Sequence, residues 1–234
     1  MNNNDFLGIL SKSFKRCLET SERSNEKLKI LHWAIAKDLS SRLWNNYNIM
    51  SLWFWEWKEA KIEWHYMEKA VDISVYRWDK SLWWIAVKFI MSNYSQNSNN
   101  YFENMLWETA NLRCNDKKYF QIVILPKHMP YFKKSWEISK IEEVTEHNID
   151  KYMILSNDQP LFYMHTPEKT LFILVNIPMF NESQIDTKEK YIDYYSSLDL
   201  EFDYSNDRYN FWDSVIYNDY NLFIEKICYQ FMWM

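Results

Sequence analysis

Two stretches, Val71-Asp72-Ile73-Ser74-Val75-Tyr76 and Leu82-Trp83-Trp84-Ile85-Ala86-Val87-Lys88-Phe89-Ile90, decide how this chain is read. Both alternate with a period of two. Val71, Ile73 and Val75 share one side of the first, and Ile85, Val87 and Phe89 share one side of the second. The intervening Trp78-Asp79-Lys80-Ser81 is a turn, so the two runs are expected to pair antiparallel. Asp72 and Lys88 then fall roughly opposite each other on the polar side. A charged residue amid such apolar runs needs a partner or a purpose. A plain cross-strand ion pair meets that need by itself. Against it stands Glu103, which follows Lys88 by 15 residues and lies one turn into the next expected helix.

Working outward, residues 20–43 read as a helix, with Thr20 or Ser24 as cap and Leu28, Leu31, Ile35, Leu39 and Leu43 at helical spacing. A strand is expected at 61–67. The run 92–100 is a polar loop or helix entry, and Phe102, Met105, Leu106, Thr109 and Ala110 give a helix face over 99–113. Residues 119–125 fit a buried strand ended by Pro126, and a helix near 145–156 and a strand at 170–177 follow. This order predicts an α/β fold with a mixed central sheet flanked by helices. Residues 1–180 are expected to form the main domain, with 181–234 an acidic, aromatic extension packed on it.

At 234 residues the chain suits one such domain. No apolar run approaches the roughly 18 residues of a membrane span, and the start Met1-Asn2-Asn3-Asn4-Asp5 does not look like a signal peptide. Cys17, Cys114 and Cys228 are far apart and not in metal spacing, which predicts reduced thiols and a cytoplasmic location. His32, His65, His128, His147 and His165 show no ligand spacing, and no glycine-rich phosphate loop or nucleophile elbow occurs. The net charge is −5 but unevenly spread. Arg113, Lys117, Lys118, Lys127, Lys133, Lys134 and Lys140 crowd into 111–140, whereas 186–225 is strongly acidic. Such a total is compatible with DNA binding when the basic groups line one cleft, and equally with solvated faces.

Composition adds one anomaly: 13 tryptophans against a single glycine, Gly8. Average usage near 7% predicts about 16 glycines in a chain of this length. Several tryptophans stand where glycine is expected. Trp44 follows an amphipathic helix and precedes Asn45-Asn46, Trp78 occupies the hairpin turn, and Trp53, Trp55 and Trp57 alternate through what reads as a loop. In some bacteria UGA encodes glycine, and reading it as tryptophan produces this pattern. The alternative takes the tryptophans literally, as a carbohydrate- or ligand-stacking surface with Trp53, Trp55, Trp57, Trp83 and Trp84 exposed in a planar array.

On Asp72, Ala86-Val87-Lys88 and Glu103 the chain resembles the PD-(D/E)XK nuclease superfamily, and within it the type II restriction endonucleases. It is similar to the branch in which the acid before x-Lys has migrated to the following helix, leaving a small residue such as Ala86. Val71 stands where that pattern has proline. The stretch Met91 to Asn111 is similar to restriction-endonuclease-like bacterial proteins, in which the position of Trp107 is a glycine that lets helices approach closely. The resemblance covers about residues 20–180. It implies a restriction-endonuclease-like sheet and Mg²⁺-assisted phosphodiester hydrolysis of double-stranded DNA by a homodimer or higher oligomer. Asp72 and Glu103 become the metal ligands and Lys88 the residue that orients water, with Glu26 a further acid and Glu22 and Glu108 its rivals. Asn93, Tyr94, Gln96, Asn97, Asn99 and Asn100 offer groups suited to base edges or phosphates, and Arg113, Lys117 and Lys118 suit the backbone. If Ala86 marks a lost acid instead, the expectation is a DNA-binding relative without cleavage.

Overall fold

The computed structural model describes residues 1–20, 26–43, 47–52, 54–56, 60–63, 68–78, 80–115, 117–181 and 183–232. Two helices, α1 (Asn3–Glu19) and α2 (Glu26–Arg42), precede strands β1 (Asn48–Leu52), β2 (Trp55–Glu56), β3 (Ala60–Glu63), β4 (Glu68–Val71), β5 (Ile73–Arg77) and β6 (Lys80–Phe89). Then come α3 (Tyr94–Arg113), β7 (Lys118–Pro126), β8 (His128–Phe132), β9 (Ile138–Glu143), α4 (Glu146–Ser156) and β10 (Lys169–Asn176). The chain closes with α5 (Lys188–Ser197), β11 (Asp203–Tyr204), β12 (Val215–Tyr217) and α6 (Tyr220–Met232).

Eight strands form one mixed sheet in the order β11-β10-β7-β6-β5-β1-β2, with β12 also paired to β10. At its centre β6, β7 and β10 run parallel, while β5 pairs antiparallel with β6 and β1 with β5. Being covered on both faces, β7 and β10 read as nearly unbroken apolar runs and are buried along almost their whole length. On one face Phe6, Leu10 and Phe14 of α1, Leu31, Ile35 and Leu39 of α2, and Phe223 and Ile227 of α6 meet Ile73, Val75, Ile85 and Val87. On the other, Met105 of α3 and Ile149, Tyr152 and Leu155 of α4 pack on Val123, Leu125 and Phe172. Each fully buried Leu, Ile or Phe contributes about 1.5–3 kcal/mol, so these two layers dominate the stability. The fold is α/β with a mixed central sheet flanked by helices, as the sequence pattern predicts. Residues 181–234 supply β11 and β12 to the sheet and α5 and α6 to the core.

Helix α2 is seated by a buried polar cluster. Asp38 accepts from Arg42 Nε at 3.2 Å and from the Tyr220 hydroxyl at 3.0 Å, joining α2 to the start of α6. Among the described residues, no helix is long and apolar enough to cross a membrane.

Local differences from the sequence reading have physical causes. Helix α1 precedes the first helix expected from the sequence; Phe6, Leu7, Leu10, Phe14 and Cys17 recur at helical spacing and are buried, and the helix opens on a capping box at Asn2 and Asp5. Helix α3 already begins at Tyr94, within the polar run, because Asn93 makes the turn in the left-handed region at φ 53°. The strand expected over 71–76 breaks at Asp72. Before the bend, Val71 belongs to β4 and packs with Trp84, Leu112 and Tyr119; after it, Ile73 and Val75 face the opposite layer.

Among the described residues four non-glycine residues have positive φ: Trp78 (57°), Asn93 (53°), Trp136 (67°) and Asn218 (52°). Asparagine tolerates that region and tryptophan does not. Trp78 begins the two-residue connection of the β5–β6 hairpin, where Arg77 pairs with Lys80. Trp136 ends a turn in which its N–H donates to Lys133 O at 3.0 Å, while Lys133 N–H donates to Glu137 O at 2.9 Å. This turn ends on a left-handed residue, the position that glycine fills in hairpin connections of this length. Gly8, by contrast, lies inside α1 with open space where a Cβ would be. Trp83 and Trp84 are fully buried, so neither contributes to an exposed stacking array. Trp107 is half exposed. Trp44, Trp53 and Trp57 lie outside the described residues, as does the side chain of Trp55.

Candidate active site

The bend at Asp72 creates the site. Strand β5 pairs with β6 through Ile73 and Ile85, after which β4 turns away to pair with β3. Val87 of β6 thereby loses a backbone acceptor, and the Asp72 carboxylate replaces it: Val87 N–H donates to Asp72 Oδ2 at 2.7 Å. A hydrogen bond to a charged acceptor is among the stronger kinds, so it fixes the carboxylate in the plane of the sheet. The next residue, Lys88, is half-buried on the same face of β6 as Ala86.

Asp72, Ala86 and Lys88 line one cavity of about 100 Å³, together with Ala70, Val71, Glu108, Leu112 and Tyr119. It has room for a cation and several waters, each needing roughly 10–15 Å³ by the same measure. No hydrogen bond or ion pair ties Lys88 to another described residue, so Asp72 and Lys88 are not the simple cross-strand pair. The acid that completes the cavity is Glu108, on the face of α3 that meets the sheet through Leu112. Burial, foremost, and then the negative charges of Glu108 and Asp72 push the Tyr119 phenol well above its ordinary range, so it stays protonated. Both carboxylates therefore act on one hydroxyl at the cavity wall.

Glu103 is corrected by this geometry. Five residues before Glu108, it sits about 140° around the helix at 100° per residue. It is exposed and acts electrostatically on Lys151 of α4, away from Asp72 and Lys88. Glu26 is likewise placed elsewhere, paired with Lys29 and, at 3.6 Å, with Arg16. Glu22 lies outside the described residues. What α2 brings to Asp72 is His32, whose Nε2 lies 4.0 Å from Asp72 Oδ2. Burial, foremost, lowers the pKa of this imidazole; Asp72 opposes the shift and Lys88 adds to it, so the ring is neutral. Both its nitrogens are buried with no hydrogen-bond partner among the described residues. On β7, the neighbour of β6 in the sheet, Gln121 lies beside Ala86 with its Oε1 buried and equally without a partner among them.

The residues expected to touch DNA divide sharply. Asn93 is used within the fold: its amide donates to Phe132 O at 2.9 Å, and its Oδ1 accepts from Phe132 N at 3.1 Å. Tyr94 is buried, and its phenol is pushed up to about 12 by burial, with Tyr152 acting in the opposite direction. Arg113 donates to Tyr163 O, Thr166 O and Pro160 O and pairs with Glu168 at 3.6 Å, which holds the loop after α4. None of these three presents its polar group to solvent as a reader of bases or phosphates. Asn97 donates to Asn93 O at 3.3 Å, Lys117 to Ser81 O at 2.9 Å and Lys118 to Gln230 Oε1 at 3.4 Å. Gln96, Asn99 and Asn100 are exposed; Gln96 accepts from the Tyr131 hydroxyl and Asn99 from Lys151. The asparagine-rich set lies towards the start of α3 and the Arg113–Lys118 set at and beyond its end, roughly 20–30 Å away at 1.5 Å per residue.

No known protein family, curated protein or solved structure matches this chain. The site therefore rests on its own chemistry. A second, larger cavity of about 430 Å³ is lined by Asp158, Glu168, Lys169 and Asp213, but its charges are already matched. Lys169 pairs with Asp213 at 2.8 Å, Arg113 with Glu168 at 3.6 Å, and His165 lies 3.4 Å from Asp158. The cavity at Asp72 differs in holding an ammonium with no ion pair among the described residues, beside two carboxylates.

Proposed function

We propose that this chain is a Mg²⁺-dependent DNA endonuclease of the restriction type, with Asp72, Lys88 and Glu108 as its working residues. The observation that carries this reading is their presence in one cavity, with Asp72 pinned by the Val87 amide. The donor chemistry fits the metal. Two carboxylates and no thiolate suit a hard cation, and among the described residues no three His, Cys, Asp or Glu side chains converge into a closed cage. Mg²⁺ binds in this way, through one or two carboxylates plus waters and a phosphate oxygen.

When bound, the cation lowers the pKa of a water and polarises the phosphate. Asp72 and Glu108 hold it against the sheet. Lys88, on the same wall, orients the attacking water and offsets negative charge growing on the phosphate oxygens. Tyr119, buried, forms part of the wall of the same cavity. Cutting both strands of a duplex calls for two such sites, so the working form is a homodimer or higher oligomer.

The test is incubation of a mixed-sequence plasmid with the protein, with Mg²⁺ and with EDTA. Linear or nicked product that needs Mg²⁺ and disappears in Asp72→Ala supports the enzyme. DNA retained without any cut, on substrates of diverse sequence, replaces it with a binding protein in which Ala86 marks an acid that was lost.

A further inference from the structure

His32 is a buried polar group near the cavity that the reaction above leaves unused. It lies on α2, against the layer opposite α3, is 1% exposed, and does not belong to the described lining of the cavity. Asp72 Oδ2 is therefore approached by the Val87 N–H at 2.7 Å and by His32 Nε2 at 4.0 Å. Neither ring nitrogen has another partner among the described residues. Buried polar groups are nearly always satisfied, and the exceptions concentrate where a ligand or a movement completes them.

We propose that His32 is a positioning residue for Asp72, backing the carboxylate from the α2 side so that Oδ1 is left to a cation in the cavity. The inference rests on the nuclease reading and deepens it. A shift of about 1 Å turns the present contact into an N–H···O hydrogen bond. Cation binding at Oδ1 supplies the reason for such a shift, because it anchors the far oxygen and fixes the carboxylate plane. Groups behind a metal ligand act in this way, and their loss costs about 10–100-fold in metal affinity. Asp38, bonded to Arg42 and Tyr220, seats the helix from which His32 reaches.

The experiment measures Mn²⁺ binding to the full chain by the EPR signal of free Mn²⁺, with Asp72→Asn as the reference for loss of the site. His32→Leu is expected to weaken binding about 10–100-fold. His32→Gln, whose amide nitrogen stands as many bonds from Cα as Nε2, is expected to restore most of it. If the leucine variant does not fold, His32→Asn, with an amide one bond shorter, takes its place against glutamine. Binding equal to the parent in His32→Leu overturns the inference and leaves the nuclease reading intact. Equal losses in the leucine and glutamine variants also overturn it, because they indicate packing alone. A ¹⁴N coupling from His32 to bound Mn²⁺ in pulsed EPR overturns it too, by making the imidazole a direct ligand. A parent that binds no Mn²⁺ removes both the inference and the nuclease reading.

Discussion

Alanine at Asp72, Lys88 or Glu108 will lower Mg²⁺-dependent DNA cleavage by at least about 100-fold each, while alanine at Glu103 will leave it within about twofold. The larger figure corresponds to roughly 2.7 kcal/mol of transition-state stabilisation, the scale on which one charge-stabilising group acts in an enclosed site. The smaller follows from position: Glu103 is exposed beside Lys151, and Glu108 lines the cavity. Because residues that act as a unit are not additive, the Asp72/Glu108 double variant should be little worse than Asp72→Ala alone. Single-turnover cleavage rates on a plasmid separate these cases. Loss in Glu103→Ala equal to that in Asp72→Ala, with Glu108→Ala active, would show that the cavity has been given the wrong acid.

Glycine at positions 78 and 136 will raise stability, by about 1 kcal/mol at 78 and by less at 136. A bulky residue in the left-handed region costs roughly 1–2 kcal/mol, and glycine removes that strain. Part of the gain is returned as unfolded-chain entropy. Trp78, 77% exposed, gives up little burial. Trp136 also loses the contact with Lys188, whose ammonium lies 4.0 Å from its ring centroid, worth about 0.5–1 kcal/mol at an exposed site. Alanine at the same positions keeps the Cβ and should gain much less. Urea unfolding of the four single variants checks this, and glycine variants less stable than the parent would count against it. The same geometry gives the codon reading a direct check at two named residues. If tryptophan was written for UGA-encoded glycine, peptide masses from native material will show glycine at 78 and 136.

The hairpin and the sheet were readable because they depend on period-two burial, which apolar residues record directly. Ile73, Val75, Ile85 and Val87 identify the core side without further information. The bend at Asp72 was not readable, because alternation continues across it in sequence and only the departure of β4 towards β3 breaks it. The acid that lines the cavity was not readable for a related reason. Spacing places Glu103 early in the helix that follows the strand, but the helix starts at Tyr94, and its azimuth decides which acid meets the sheet. Leu112, four residues after Glu108 and therefore on the same stripe, was the available signal. His32 left no trace in sequence, since its role depends on a partner 40 residues away. Trp136 could have been found as Trp78 was, from the polar run Lys133-Lys134-Ser135 between two strand-like segments.

The bond between Asp72 and the Val87 amide has a spectroscopic consequence. That proton is donated directly to a carboxylate that lines the cavity. Its NMR resonance should lie downfield in the free protein and move when a divalent ion neutralises the carboxylate, with the neighbouring Ile85 amide as an internal standard. A single labelled valine thus reports occupancy of the pocket without DNA or turnover. A resonance that stays still through a Mn²⁺-free Mg²⁺ titration would mean that the ion settles somewhere else.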